Sequence, residues 1–539
     1  MPETQRQNYI KGAAVLAAAS MFVKVISATF QIPLVGILGS EGAGHFQMTH
    51  NIFMMFLTIA SAGVPVALSR MISSAANSGN AKLVKRYFAV SMPAFVILGA
   101  VVMALMFFFA DTIAFWQNNS LIAPGIRVLA PAVFFICIIS VYRGFMQGLE
   151  YMMPTAVSQI VDVVCRAVIG IATAILLSRA LFEPHIVSAG ATTGITIGLG
   201  LSIPLLILYK RKANRLVPEH TSSEPLPSRG NVLGNIIKVS VPITLGASVL
   251  TVMTVLNQTI LAGRLQSVFG YTEAEASYVF GMYTMAMRVY NLPPAIFVSL
   301  AVALVPAIAG AIAGKRPGEA KAIMQSSLKL VNLIAMPAAA GMMILASPIL
   351  IALFEDPDRL TAQILIILGV ASFLLCLQIV TTAILQANGH ERLAMMVFPI
   401  GAVVKLLLTY FLVAVPNIGI LASPISTLAC FVVLSILNFI IIRVKIKDRP
   451  KYRSVLLKPL ICTSGMSVVA FFLYRLLFQI GSGILGTGRS AVILYLAATM
   501  IVAMIVYCVL IVLLKAITLE DLKLIPKGEK IAKFLKITQ

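Results

Sequence analysis

Apolar runs long enough to cross a bilayer recur from one end of this chain to the other. A membrane-spanning α-helix needs about 20 such residues to traverse the ~30 Å hydrocarbon layer. Read between charged or Gly/Pro-rich breaks, the sequence offers fourteen candidate spans: 12–38, 46–69, 87–110, 121–142, 155–178, 186–209, 236–262, 278–312, 327–352, 361–385, 393–415, 418–442, 455–478 and 490–515. The runs are continuous, without the short alternation of barrel strands. The expected fold is therefore all-α and polytopic. Composition agrees, since only 11% of the 539 residues are charged and 59% are hydrophobic. A soluble domain carries charge on about 25% of its residues.

The formal net charge is +22, which in a soluble protein suggests nucleic acid as a partner. Here the placement of the charge gives another reason. Arg6, Lys11, Arg70, Lys82, Lys85, Arg86, Arg143, Lys210, Arg211, Lys212, Arg229, Lys315, Arg316, Arg392 and the cations of 443–458 all fall on one side of the fourteen-span arrangement. The other side has Arg179, Arg264, Arg359 and Arg489, together with Glu273, Glu275, Glu355, Asp356 and Asp358. This is the positive-inside asymmetry. It places both termini in the cytoplasm of a bacterial cell, with the chain a multi-pass protein of the inner membrane and not a nucleic-acid binder. The first run is too long for a signal-peptide core and reads as a retained span. Cys137, Cys165, Cys376, Cys430, Cys462 and Cys508 lie within apolar runs without a CxxC pair, as small buried hydrophobes do.

The chain also repeats itself. Met146-Gln-Gly-Leu-Glu-Tyr aligns with Leu385-Gln-Ala-Asn-Gly-His, and the same offset pairs Gln147 with Gln386 and Arg166 with Lys405. Val64-Pro-Val-Ala-Leu resembles Val305-Pro-Ala-Ile-Ala, and Asn80-Ala-Lys-Leu resembles Glu319-Ala-Lys-Ala, in the same order. Each copy holds six spans, an even number, so both copies enter from the same side and are related by an axis along the membrane normal. The expected organisation is a six-helix lobe at 1–215, a polar linker at 216–235, a second six-helix lobe at 236–450, an extra helix pair at 451–515 and a basic tail at 516–539. The tail runs from Thr518-Leu-Glu-Asp into Lys523, Lys527, Lys530, Lys533 and Lys536, a basic amphipathic pattern suited to an anionic leaflet. Two facing lobes with a substrate between them are the plan of an alternating-access transporter.

Six cations remain inside spans. Arg127 and Arg475 lie near span ends, where long side chains reach outward to water. Lys24, Arg166, Arg288 and Lys405 lie deeper. Lys24 is twelve residues into the first span, roughly 18 Å at 1.5 Å per residue. Each central Arg or Lys costs about 2.5–3.5 kcal/mol even on insertion scales. Such a residue must line water, pair, or contact an anion. Asp162 is the one acid within a span, four residues before Arg166 and on the same helix face. It either makes Arg166 tolerable or serves a proton or coupling ion. The net sign within the membrane is positive, and phosphate or pyrophosphate suits Arg and Lys donors. Asn291-Leu-Pro-Pro interrupts the eighth span just after Arg288. Paired prolines break a helix, which marks either an ordinary kink or a substrate site or hinge.

Other features are quieter. His45 and His50, near Gln47 and Asn51, lack metal-ligand spacing. The methionines read as packing filler. The sequence carries no nucleotide-binding Gly-rich motif, catalytic triad or metal cluster. It reads as a transporter and not an enzyme, with no cofactor, driven by an ion gradient (H⁺ or Na⁺), the membrane potential or the substrate gradient.

Several stretches resemble a known family. Lys24-Val-Ile-Ser-Ala-Thr-Phe-Gln-Ile-Pro-Leu, Leu38-Gly-Ser-Glu-Gly-Ala-Gly-His-Phe-Gln-Met and Ser61-Ala-Gly-Val-Pro-Val-Ala-Leu-Ser-Arg are similar to stage V sporulation protein B-like polysaccharide exporters. So are Arg143-Gly-Phe-Met-Gln-Gly-Leu-Glu-Tyr-Met-Met-Pro-Thr-Ala-Val-Ser-Gln, Asn291-Leu-Pro-Pro-Ala, Leu385-Gln-Ala-Asn-Gly and Gly401-Ala-Val-Val-Lys. That family belongs to the multidrug/oligosaccharidyl-lipid/polysaccharide exporter superfamily, alongside lipid II flippases. The resemblance implies a two-lobed, fourteen-helix fold that flips undecaprenyl-linked cell-envelope precursors. It implies a lipid-tail groove at the final helix pair and central cations holding a pyrophosphate, with Lys24 and Arg166 in the first lobe and Lys405 in the second. The chain departs at Gln31, where the resemblance implies a basic residue. Membrane lipids and cell-wall synthesis enzymes are the implied partners, and peptidoglycan or spore-wall synthesis the implied setting.

The expected substrate-binding set is thus Lys24, Asp162, Arg166, Arg288, Asn291 and Lys405. The alternative function is a cation-coupled multidrug or small-molecule exporter of the same superfamily, which needs more intramembrane carboxylates than Asp162. A membrane glycosyltransferase is a third class. It needs acids or histidines on a sizeable outer loop, and the outer loops are short.

Overall fold

The structure is a computed structural model that describes residues 3–217, 226–354, 357–446, 452–483, 486–514 and 516. Among them are seventeen α-helices and three short 3-10 turns, with no strand. The first helices are α1 (Glu3–Ser61), α2 (Val64–Asn77), α3 (Ala81–Phe108), α4 (Ala110–Trp116), α5 (Ala123–Gly148), α6 (Met153–Arg179), α7 (Pro184–Ala213) and α8 (Arg229–Phe269). They are followed by α9 (Glu273–Tyr290), α10 (Leu292–Ala313), α11 (Pro317–Ile344), α12 (Ala346–Leu353), α13 (Arg359–Ala387), α14 (Glu391–Val413), α15 (Ala422–Lys445), α16 (Tyr452–Gly481) and α17 (Arg489–Leu513).

The all-α, polytopic class expected from the apolar runs is the one observed. By length and composition, twelve helical stretches of the described residues suffice to cross a membrane, against the fourteen spans expected. That count covers the described residues alone, and the structure departs from the expected spans at two places. The first expected span (12–38) and the second (46–69) lie on one helical stretch that runs through α1 into α2. Within it α1 turns at Gly39, whose φ of 65° and ψ of −177° only glycine adopts without strain. The eighth expected span is divided at Asn291 into α9 and α10, with the prolines at the start of α10. A proline in the first turn loses no helical hydrogen bond, so Pro293 and Pro294 begin a helix where they would have broken one.

The chain packs as two compact units, Met1–Gly281 and Met282–Gln539. In the first, α6 and α7 pack through small residues. Gly190, Gly194, Gly198 and Ser202 recur every fourth residue along α7, and a Cβ on Gly194 would lie 2.6 Å from the Gly170 nitrogen of α6. Membrane helices gain no hydrophobic drive from lipid, so close backbone approach supplies the contact. Phe30, Leu34 and Leu38 of α1 close a core against Ala174 of α6 and Val187 and Ala191 of α7.

In the second unit, α13 lies in a core with Phe297, Leu328, Val331, Cys376, Leu385 and Ile442. The hairpin of α16 and α17 packs on α11 around Leu333, Cys462, Met466, Ala470 and Ala503. The Tyr507 hydroxyl donates to the Leu333 carbonyl at 2.7 Å. Ile97, Val168, Leu245, Phe411, Phe472 and Ile501 stand exposed, the surface that a lipid solvent requires. Part of the expected linker (218–225) and the Lys-rich tail from 517 lie outside the described residues.

Candidate functional site

Helices α5 and α6 form an antiparallel hairpin whose facing sides are polar. Four residues separate Arg143 from Gln147 on α5, and four separate Ser158 from Asp162 and Asp162 from Arg166 on α6, so each set lies along one helix face. The rungs meet in order. Gln147 Nε2 donates to Thr155 Oγ1 at 3.3 Å, and Arg143 Nε donates to Ser158 Oγ at 3.0 Å. One turn further, Arg166 Nη2 reaches back to the Asp162 carboxylate, 3.2 Å from Oδ2 and 3.4 Å from Oδ1. One helical turn is about 5.4 Å, so Asp162 has a guanidinium on either side of it along α6. Arg143 also lies within the electrostatic reach of Asp162.

Helix α7 backs this face. Ser202 Oγ donates to the Ser158 carbonyl at 3.1 Å. A Cβ on Gly198 would lie 2.8 Å from the Asp162 carbonyl and 3.3 Å from its Oδ1, so only glycine lets α7 come this close. The Asp162 and Arg166 side chains keep 14% and 19% of their exposure, so the pair is reachable. Among the described residues, Arg143 Nη2 and Arg166 Nε are buried without a hydrogen-bond partner. Arg166 pairs with the one carboxylate, Arg143 stands within its electrostatic reach, and donors are left over. Such a cluster can accept a further anion.

The other expected site residues fall elsewhere. Lys24 lies on α1, and its side chain is outside the described residues. Arg288 is in the last turn of α9, with its Nε buried. Asn291 is exposed at the junction of α9 and α10, and its Nδ2 donates to the Met287 carbonyl at 2.8 Å. There it caps the end of α9. Lys405 is partly buried on α14, near enough to Cys430 of α15 to act on it electrostatically. Within the first unit, the structure joins Asp162 to Arg166, as the spacing predicts.

It also adds Arg143, which the sequence places in a loop. Arg143 lies within α5, five residues before its last residue. The signal available was the four-residue spacing of Arg143 and Gln147, matched by Ser158, Asp162 and Arg166. Arg127 pairs with Asp111, and both side chains are exposed, as a residue near a span end should be. At the far end of α5 from Arg143, Asn51 of α1, Gln117 after α4 and Gln258 of α8 form a neutral chain of hydrogen bonds, 2.9 and 3.0 Å long.

Comparison with known proteins gives this geometry a context. The family model described as polysaccharide biosynthesis protein matches residues 9–311, and the MatE family model matches 277–411. Stage V sporulation protein B of Bacillus subtilis (strain 168) is 25% identical over 80% of this chain and 83% of its own length. Lipid II flippase MurJ of the same organism is 22% identical over 78% of this chain and 80% of its own. The solved structure of lipid II flippase MurJ in an inward closed conformation superposes with a TM-score of 0.66 at 14% identity, covering 92% of this chain and 98% of that one. The resemblance read from the motifs is borne out, and the fold is that of this transporter superfamily.

Proposed function

The chain belongs to the polysaccharide biosynthesis protein family, and on that premise we propose that it is a flippase carrying an anionic, lipid-linked cell-envelope oligosaccharide across the membrane by alternating access. The observation that carries the reading is the Arg143–Asp162–Arg166 cluster, two guanidinia and one carboxylate on α5 and α6. Guanidinium forks match phosphate oxygens in pairs, and a net positive site within a membrane favours a substrate that brings negative charge. The name of one relative, a lipid II flippase, belongs to the same substrate class.

In this reading the two six-helix lobes at 1–215 and 236–450 alternate about the substrate, and both termini face the cytoplasm. Lys24, Arg288 and Lys405 add positive charge along the path, and Asn291 is a hinge between α9 and α10. The helix pair at 451–515 receives the lipid tail. A recess of about 260 Å³ between α11 and α16 supports this last assignment, being lined by Ile344, Leu345, Phe471, Tyr474 and Phe478 with Arg475 at its edge.

The test is flipping of a fluorescent undecaprenyl-diphosphate oligosaccharide in proteoliposomes. Arg166→Ala, Lys405→Ala and Lys24→Ala should each abolish transport while inserting normally; wild-type rates in all three would refute the cationic path. The MatE match at 277–411 favours a second reading, a cation-coupled small-molecule exporter. That reading requires that Asp162→Asn abolish drug resistance conferred by the wild-type chain.

A further inference from the structure

We propose that Asp162 is a resident counterion, paired with the Arg166 guanidinium and within electrostatic reach of Arg143, until a diphosphate takes its place, and that it reclaims Arg166 when the diphosphate leaves. This rests on the flippase reading above and adds to it a mechanism for capture and release.

The Arg166–Asp162 contact is loose. Its two oxygens lie 3.2 and 3.4 Å from a single nitrogen, Nη2, whereas a committed guanidinium–carboxylate pair sits at about 2.7–2.9 Å through two parallel hydrogen bonds. The second nitrogen that such a fork would use, Nε, is buried and has no hydrogen-bond partner among the described residues. On the other side, Arg143 is anchored through Nε to Ser158 at 3.0 Å. That bond fixes the fork and leaves Nη2 buried without a partner. The carboxylate therefore engages less donor capacity than the two arginines offer. A diphosphate brings more oxygens and more charge to the same donors.

The repeat separates this role from simple neutralisation. At the offset that pairs Arg166 with Lys405, Asp162 corresponds to Gly401 and Arg143 to Thr382. The second copy keeps a cation at this depth with no carboxylate four residues before it. An acid is therefore not what a cation on this helix needs in order to be tolerated. The first copy carries a carboxylate and a second guanidinium in addition. Gly198 gives the carboxylate a wall on the α7 side, its absent Cβ lying 3.3 Å from Oδ1. The remaining exposure of Asp162 and Arg166 leaves the pair open to an arriving anion. The exchange makes no covalent bond; the Asp162 side chain turns from Arg166 to water.

The test uses the purified full-length chain in detergent, titrated calorimetrically with inorganic pyrophosphate and, separately, with a short-chain isoprenyl diphosphate. Removing a competing unit charge within a few ångströms should tighten binding on the order of tenfold or more. Asp162→Asn and Asp162→Ser should therefore bind the isoprenyl diphosphate more tightly than wild type and flip the lipid-linked substrate more slowly, because release is no longer assisted. Arg143→Gln should bind it at least about tenfold more weakly, with its melting temperature unchanged. Unchanged or weaker binding in both Asp162 variants, with wild type binding normally, overturns the exchange and leaves Asp162 a structural partner of Arg166. If wild type binds neither probe, the flippase reading of this cluster fails. Equal affinity for both probes assigns the site to diphosphate itself; preference for the isoprenyl form assigns it to the lipid-linked substrate.

Discussion

Arg143 shows how a residue's role is set by what stands one turn away on a neighbouring helix. Alone it is a cation near the end of α5. Anchored on Ser158 and facing Asp162, it becomes half of a guanidinium pair. Glycine at 198 is what allows this, because α7 presses against α6 at the Asp162 carbonyl. Gly198→Ala tests that dependence. In a helix interior, alanine gains about 0.5–1 kcal/mol over glycine. Its methyl group, however, would sit 2.8 Å from a backbone oxygen, and overpacking costs about 1–3 kcal/mol. Backbone cannot swing aside as a side chain does, so the steric cost should win. The variant should melt lower than wild type in detergent and bind pyrophosphate more weakly. A raised melting temperature would show that α7 yields freely. The sequence made the Asp162–Arg166 pair legible, since four-residue spacing fixes it locally. It hid Arg143, because a charged residue at the end of an apolar run reads as the beginning of a loop. Only the structure reveals that α5 continues past it, to Gly148.

Helices were legible for a simple reason: run length and hydropathy are local, and the bilayer forces each apolar run to satisfy its own backbone. Their junctions depend on single residues. At Gly39 the backbone enters a region that costs any other residue about 1–3 kcal/mol. Gly39→Ala should lower the detergent melting temperature and alter the angle within α1, read as a changed distance between spin labels at Phe22 and Ile59. Unchanged values for both would mean that the turn is not set by glycine. The start of α9 carries its own pH dependence. Thr272 and Glu275 form a capping box, with the Thr272 amide and hydroxyl donating to the Glu275 carboxylate at 2.8 and 3.0 Å and the Glu275 amide donating back to Thr272 Oγ1 at 3.2 Å. The backbone bond and then the side-chain bond to Thr272 hold the Glu275 carboxyl below its ordinary value of 4.5. A lowered folded value means that the cap is fully present above that ordinary value and is lost as pH falls through the depressed one. The protection factors of the amides in the first turn of α9 should therefore fall in acid. Glu275→Ala should show the same loss of protection already at neutral pH. Protection that does not depend on pH in the wild type would dismiss the cap.

Across the whole molecule, the uneven distribution of charge between loops is the property on which orientation depends. Leu181, between α6 and α7, is 91% exposed and lies at the end of the α5–α6 hairpin remote from Arg143. Ser228, which caps α8 through a 3.2 Å bond to the Asn231 amide, follows the basic end of α7. The positive-inside rule puts Leu181 outside and Ser228 inside. The native cysteines give little background, four of the six being buried and the others partly so. In intact cells a membrane-impermeant maleimide should label Leu181→Cys and spare Ser228→Cys until the membrane is opened. The same orientation would set Arg143 and Ser158 toward the cytoplasmic half of the hairpin, where the proposed lipid-linked substrate would first arrive. If the labelling were reversed, the cations would stand outside, the arginine cluster would meet its diphosphate only after crossing, and capture from the cytoplasm through this cluster could not be the first step.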